Sequence, residues 1–199
     1  MSDLHVLVTG GAGYIGTHTL VAMLAAGQRP LVLDDFSNGS REAVARVERL
    51  CGVAIPLIEA DIRTPGLVES VLADAAARGD PVQAVLHLAG CKAVGESVAD
   101  PLKYYDNNVA GSLALLRAMR DTGVARLVFS SSATVYGEPQ YLPFTEAHPL
   151  APTNPYGRTK LMVEEMLRDV CTASPAFSAV TLLSLIHISE PTRLGTISY

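Results

Sequence analysis

Thr9-Gly10-Gly11-Ala12-Gly13-Tyr14-Ile15-Gly16 decides the fold. An apolar run of strand length, Leu4–Thr9, leads into it, and an amphipathic stretch from Tyr14 to about Ala26 leaves it. Strand, glycine turn and helix thus follow one another without a gap. Glycines at 10, 13 and 16 keep the GxxGxxG spacing. In such a turn Gly10 permits the tight bend, Gly13 lets the backbone approach a pyrophosphate, and Gly16 lets the helix pack close to the sheet. The free N–H groups of the helix start, at Tyr14 and Ile15, and its positive dipole end would complete an anion cradle. A glycine motif alone is a weak signal, and a ligand-free Gly-rich turn is the competing reading. The strand before and the helix after favour a dinucleotide.

Outward from this turn the same alternation repeats. Strands read at Leu31–Asp34, Ala54–Glu59, Ala84–Leu88, Leu127–Ser131 and Ala179–Leu183, near-continuous in Val, Leu and Ile as expected of strands buried on both faces. Helices read at Arg41–Leu50, Pro65–Arg78, Pro101–Thr122 and Tyr156–Cys171. Gly27, Gly52, Gly79 and Gly123 each stand where a helix should stop. Repeated β-α-β units with right-handed crossovers predict a doubly wound parallel α/β sheet, the Rossmann fold. Gly137–Pro155 is rich in proline and reads as a loop over the edge of an active site.

Composition narrows the function. The chain has 199 residues, 49% hydrophobic and 18% charged, which suits one core-rich domain. A net charge of -5 offers no basic stripe for phosphates, so no nucleic-acid partner is expected. No apolar run approaches the ~20 residues of a bilayer span. Met1-Ser2-Asp3 runs straight into a strand, so no signal peptide is expected either, and the cytoplasm is the default compartment. Cys51, Cys91 and Cys171 are widely spaced and odd in number, which suits neither a disulfide framework nor a metal site.

Asp34-Asp35 closes the second strand at the distance from the cradle where an acidic residue accepts from both adenosine ribose hydroxyls. A carboxylate there repels a 2'-phosphate and selects NAD. Capping of the next turn is the plainer reading of either Asp, and Arg41 keeps NADP open. Asp61, in Ala60-Asp61-Ile62-Arg63, falls where adenine should lie. Farther on, Tyr156-Gly157-Arg158-Thr159-Lys160 matches YxxxK. On a helix the two side chains share one face about one turn apart. A phenol of pKa about 10 is a poor base at neutral pH. A neighbouring ammonium and a positive nicotinamide would both lower it. An amphipathic helix with Tyr inside and Lys outside is the alternative. Ser130-Ser131-Ser132-Ala133-Thr134 ends the fifth strand, at the edge where ligands bind in such sheets. Ser132 is the hydroxyl chosen to bond the reacting sugar oxygen and relay its proton to Tyr156. Turn-forming serines are the bland reading.

From about Leu4 to Leu183 these features resemble the extended short-chain dehydrogenase/reductases. His87-Leu88-Ala89-Gly90-Cys91-Lys92-Ala93-Val94-Gly95-Glu96-Ser97, Tyr104-Tyr105-Asp106-Asn107-Asn108-Val109 and Ser130–Gly137 are similar to the UDP-glucose 4-epimerases among them. The resemblance implies acid/base work by Ser132 and Tyr156 on the sugar C4 hydroxyl, with Lys160 assisting. It puts nicotinamide contacts on Leu88, Ala89, Gly90, Lys92 and Asn107, and adenosine contacts on Asp34, Asp35, Asn38, Asp61 and Ile62. It also implies bound NAD, a UDP-sugar substrate carried through a 4-keto sugar, and a homodimer in the full-length parent. Leu88, Cys91 and Asp35 stand where Phe, Leu and Asn are usual.

Residues 1–183 are expected to form the NAD-binding domain. From Ser184 the family would continue into a small substrate domain, expected to be missing here. Residues 184–199 match nothing expected and resemble adapter read-through joined to a truncated gene. Three other functions stay open: an epimerase of N-acetylated or uronic-acid sugars, a 4,6-dehydratase, and an NAD-binding fragment without turnover. The dehydratase is disfavoured because Val135-Tyr136 follows Thr134 where an acidic pair is needed.

Overall fold

In the computed structural model, which describes residues 3–184, strand and helix alternate. The order is β1 (His5–Thr9), α1 (Tyr14–Ala25), β2 (Arg29–Asp34), α2 (Arg41–Cys51), β3 (Leu57–Glu59), α3 (Leu67–Ala77) and β4 (Ala84–His87). Then come α4 (Val94–Ala99), α5 (Pro101–Tyr104), a π-helical segment (Tyr105–Ala110), α6 (Gly111–Thr122), β5 (Arg126–Ser132), a 3-10 turn (Ala133–Val135), α7 (Pro155–Ala173) and β6 (Ser178–Ser184). All the strands run parallel in the order β3-β2-β1-β4-β5-β6, the doubly wound sheet that the sequence predicts.

Each face of the sheet has its own core. Val6, Val8 and Val32 meet Leu20 and Met23 of α1 and Val44 and Val47 of α2. Leu7, Leu33, Val85, Leu127 and Phe129 meet Leu72 of α3, Leu115 and Met119 of α6, and Val163 and Leu167 of α7. β1 is buried along its whole length, as a strand covered on both sides must be. Local signals set the helix ends. Ser40 accepts from the Ala43 N–H to start α2, and left-handed Gly52 ends it. Asn154 accepts from the Gly157 N–H at 2.8 Å to start α7, with Pro155 in its first turn.

Three expectations need correction. β3 begins at Leu57 instead of Ala54, since Pro56 has no N–H to add to a ladder, although its carbonyl accepts from Val32 at 2.8 Å. The single helix over Pro101–Thr122 is broken into α5, the π segment and α6, and α4 precedes it unforeseen. β6 is not buried on both faces: Val180 and Leu182, two residues apart and so on the same face, are each 55% exposed. At Gly16 the tightest contact is with the glycine turn that leaves β1, a partner that the expected closeness to the sheet did not name. A Cβ on Gly16 would come within 2.6 Å of the Gly11 backbone. The expected tail lies outside the described residues, apart from Ser184, which ends β6.

Parallel register puts Thr9, His87 and Phe129 side by side across the sheet centre. His87 is 2% exposed, and burial, aided by the positive charge of Lys160, takes its pKa down to about 3. The unfolded chain therefore binds a proton between pH 6.5 and about 3 that the folded chain refuses. Stability must fall as pH drops through that window, with a limiting slope of about 1.4 kcal/mol per pH unit from this one group. Urea unfolding at stepped pH should show His87→Asn with a shallower acid slope than the unaltered chain; equal slopes would mean that His87 titrates normally.

Candidate cofactor and active site

The connections after β1 and β4 part on opposite faces of the sheet and open a groove of about 480 Å³ at its carboxyl end. Every residue that the sequence assigns to a cofactor lines it, except Tyr156 and Lys160. Gly10, at φ +73°, lies against the β4 exit; a Cβ there would stand 2.5 Å from the Ala89 nitrogen. At Gly13 a Cβ would meet nothing nearer than the Gly10 carbonyl at 3.5 Å, so this glycine faces open space. Tyr14 and Ile15 begin α1 beside it, 62% and 37% exposed.

At the far wall Asp34 is buried at the end of β2. Its Oδ2 accepts from the Ala12 N–H and its Oδ1 from the Phe36 N–H, both at 2.9 Å. It thus ties the glycine turn to β2 and caps the next turn as well. Burial raises its pKa, and the two N–H donors offset part of that rise. Asp35 and Asn38 are exposed at the rim, where Asp35 caps the Ser37 N–H at 2.9 Å. Arg41 lies over the Phe36 ring at 5.0 Å and pairs with Glu59. Ile62 is buried, while the Asp61 carboxylate is held by Arg63, which also reaches Asp106. The opposite wall carries Leu88, Ala89, Gly90, Lys92 and Asn107, with Lys92 exposed.

Ser132, Tyr156 and Lys160 come together at the β5 end of the groove, 1%, 4% and 6% exposed. Tyr156 and Lys160 share the buried face of α7, which excludes the reading with lysine outside. Lys160 Nζ donates to the Ser130 carbonyl at 2.9 Å and stands 4.8 Å from the Phe129 ring centre. It lies just behind Gly90, where a Cβ would meet it at 3.5 Å. Burial takes its pKa down to about 8 in spite of Glu164 and Cys91. In the protein alone, burial raises the Tyr156 pKa and the adjacent Ser132 hydroxyl acts the other way, while Lys160 Nζ stands 6.0 Å from the centre of the phenol ring. Ser132 also accepts from the Thr134 N–H at 3.3 Å, so the turn-forming role is real too.

Sequence reasoning passed over several buried polar residues. Asn108, 4% exposed, accepts from the Cys91 N–H at 2.8 Å and donates to the Cys91 carbonyl and to Thr159 Oγ1, each at 3.0 Å. Glu164 meets Ser131 and clamps α7 to β5. The Tyr104 ring packs edge-on against Tyr156, 6.4 Å between centres. The one signal available was Asn107-Asn108 inside a helical stretch, where asparagine is unfavourable without a tertiary reason. Among the described residues no group of His, Cys, Asp or Glu is placed to hold a metal.

The model of the NAD dependent epimerase/dehydratase family matches residues 6–192. The chain belongs to that family. Among its members, the UDP-glucose 4-epimerase of Bacillus subtilis (strain 168) is 52% identical over 177 residues, 89% of this chain and 51% of the relative. The crystal structure of UDP-glucose 4-epimerase from Bifidobacterium longum, in complex with NAD+ and UDP, superposes with a TM-score of 0.85 at 46% identity, over 90% of this chain and 52% of that one. The UDP-Glc/GlcNAc 4-epimerase of Campylobacter jejuni gives 0.84 at 39%, over 90% and 53%. The chain spans about half the length of the curated relatives it matches. Among the described residues no helix is long and apolar enough to cross a membrane.

Gly13 and Gly16 of the cradle should behave differently. Gly16→Ala forces a Cβ into the Gly11 backbone and should cost about 1–3 kcal/mol in denaturant unfolding. Gly13→Ala meets open space and should stay within about 1 kcal/mol of the unaltered chain.

Proposed function

We propose that the whole protein is an NAD-dependent UDP-glucose 4-epimerase, interconverting UDP-glucose and UDP-galactose, and that residues 1–183 are its NAD-binding, acid/base half. The observation that carries the reading is the meeting of buried Ser132, Tyr156 and Lys160 at the end of a glycine-cradled groove. The relatives named above support it.

The groove fits a dinucleotide. Gly13 leaves room beside the N-terminus of α1, where a pyrophosphate is favoured, and Asp34 and Asp35 put negative charge where a 2'-phosphate would have to sit. With Arg41 engaged by Glu59, NAD is the better match than NADP. Bound NAD would supply hydride transfer at the sugar C4. Tyr156 removes the C4 hydroxyl proton and later returns one, so that cofactor and proton inventory are both restored after a turnover. Ser132 bonds the same sugar oxygen and shortens the proton's path. Lys160, just behind Gly90, orients the nicotinamide ribose. Low water access at both side chains strengthens these interactions. After Thr134 come buried Val135 and Tyr136 instead of acids, which argues against a dehydratase.

Tyr156→Phe in the full-length protein should lower kcat by about 10²–10⁴ with the fold unchanged. Undiminished epimerisation by that variant would overturn the mechanism. An assay with both UDP-galactose and its N-acetylated counterpart settles the sugar. A homodimer through the middle helices and a cytoplasmic setting belong to the same reading. Val98 and Leu102 leave apolar side chains 63% and 77% exposed on α4 and α5, and light scattering of the full-length protein should give twice the monomer mass.

A further inference from the structure

Five buried residues from five parts of the fold form one line of hydrogen bonds beneath the groove, passing through both the main chain and the side chain of Asn108. Thr9 Oγ1 lies 2.7 Å from His87 Nδ1, and His87 Nε2 lies 2.9 Å from Ser112 Oγ. Ser112 Oγ is 2.5 Å from the Asn108 carbonyl, and the Asn108 amide reaches Thr159, whose hydroxyl lies 2.7 Å from the Tyr156 carbonyl. Thr9 and Thr159 are fully buried, and His87, Ser112 and Asn108 are 2%, 2% and 4% exposed. The line starts one residue before the glycine cradle and ends on the helix that carries Tyr156 and Lys160.

Proton counting leaves no freedom in its direction. A carbonyl can only accept, so Ser112 spends its single hydrogen on Asn108. The Ser112 oxygen must then accept from His87 Nε2–H. With the ring neutral, as its burial requires, His87 Nδ1 is then bare and accepts from the Thr9 hydroxyl. Thr159 likewise gives its hydrogen to Tyr156 and accepts from Asn108. In this arrangement the Asn108 amide faces Cys91 with a donor and an acceptor at once, and holds the segment Gly90–Lys92 by both its N–H and its carbonyl. Asn108 lies in the π-helical segment, where helical bonding alone pins a residue less firmly than in an α-helix.

We propose that Ser112 and His87 are positioning residues for the nicotinamide end of the groove: they fix the Asn108 backbone so that its amide clamps the Gly90–Lys92 wall and the first turn of α7 together. Neither touches the groove. The inference rests on reading that groove as an NAD site, and it predicts a fault confined to one end of the ligand. Asp34, Ile62 and the glycine turn would build the adenosine end, and Asn108 hydrogen-bonds to none of them.

Calorimetry on the 199-residue chain, with NAD and with ADP-ribose, separates the two ends. Ser112→Ala should weaken NAD about tenfold and ADP-ribose less than about twofold, the loss expected of one buried hydrogen bond transmitted to one half of the ligand. Equal losses for both ligands, or none for NAD, would overturn the proposal, since a general loosening of the fold cannot choose between them. Should Ser112→Ala fail to fold, nitrogen-15 spectra of the unaltered chain decide instead. His87 must show the Nε2–H tautomer from pH 7 to pH 5, and the Nδ1–H tautomer or a charged ring would rule the line out. If the unaltered chain binds no NAD, the reading of this groove as an NAD site fails, while the tautomer measurement still judges the line of hydrogen bonds.

Discussion

Between β1 and β4 the order of the parallel sheet reverses, so the connections that follow them turn away onto opposite faces. Backbone cannot fill the gap they leave, and everything chemical in this molecule is arranged around it. The glycine turn occupies one bank. Its closeness to Leu88 and Ala89 on the other bank excludes any side chain at Gly10. Asp34 then fastens the turn to β2 through the Ala12 N–H, which places a carboxylate beside the cradle as a structural necessity. The same residue therefore both holds the turn in place and lines the groove.

Burial governs the charges at the other end. A carboxylate, a phenol and an ammonium all prefer neutrality when water is removed. Asp34 and Tyr156 move up, Lys160 moves down, and His87 stays neutral between two hydroxyls. The protein alone thus holds Tyr156 as a phenol. Phenolate needs positive charge delivered to the phenol side of the site, and Lys160 is directed to the Ser130 carbonyl.

The parts legible in the sequence are those where local chemistry has few solutions. Thr9–Gly16 could be read because only glycine tolerates the left-handed φ at Gly10 and the contact at Gly16. Tyr156 and Lys160 could be placed on one face because the helix repeat requires it. What stayed hidden depended on distant partners. The π segment at Tyr105–Ala110 gives Asn108 a place from which to reach Cys91 and Thr159, and no local propensity announces that. His87 looked like one more strand residue until register set it between Thr9 and Ser112.

By itself, then, the sequence determined the strand–helix alternation, the glycine cradle and the placing of Tyr156 and Lys160 on one helix face, because each follows from periodicity, glycine sterics or spacing along one helix. Tertiary structure alone decided the direction in which Lys160 donates, the sign of the Tyr156 shift and the tautomer of His87. Those are properties of contacts between segments far apart in the chain, in an interior where the loss of water makes each partner count.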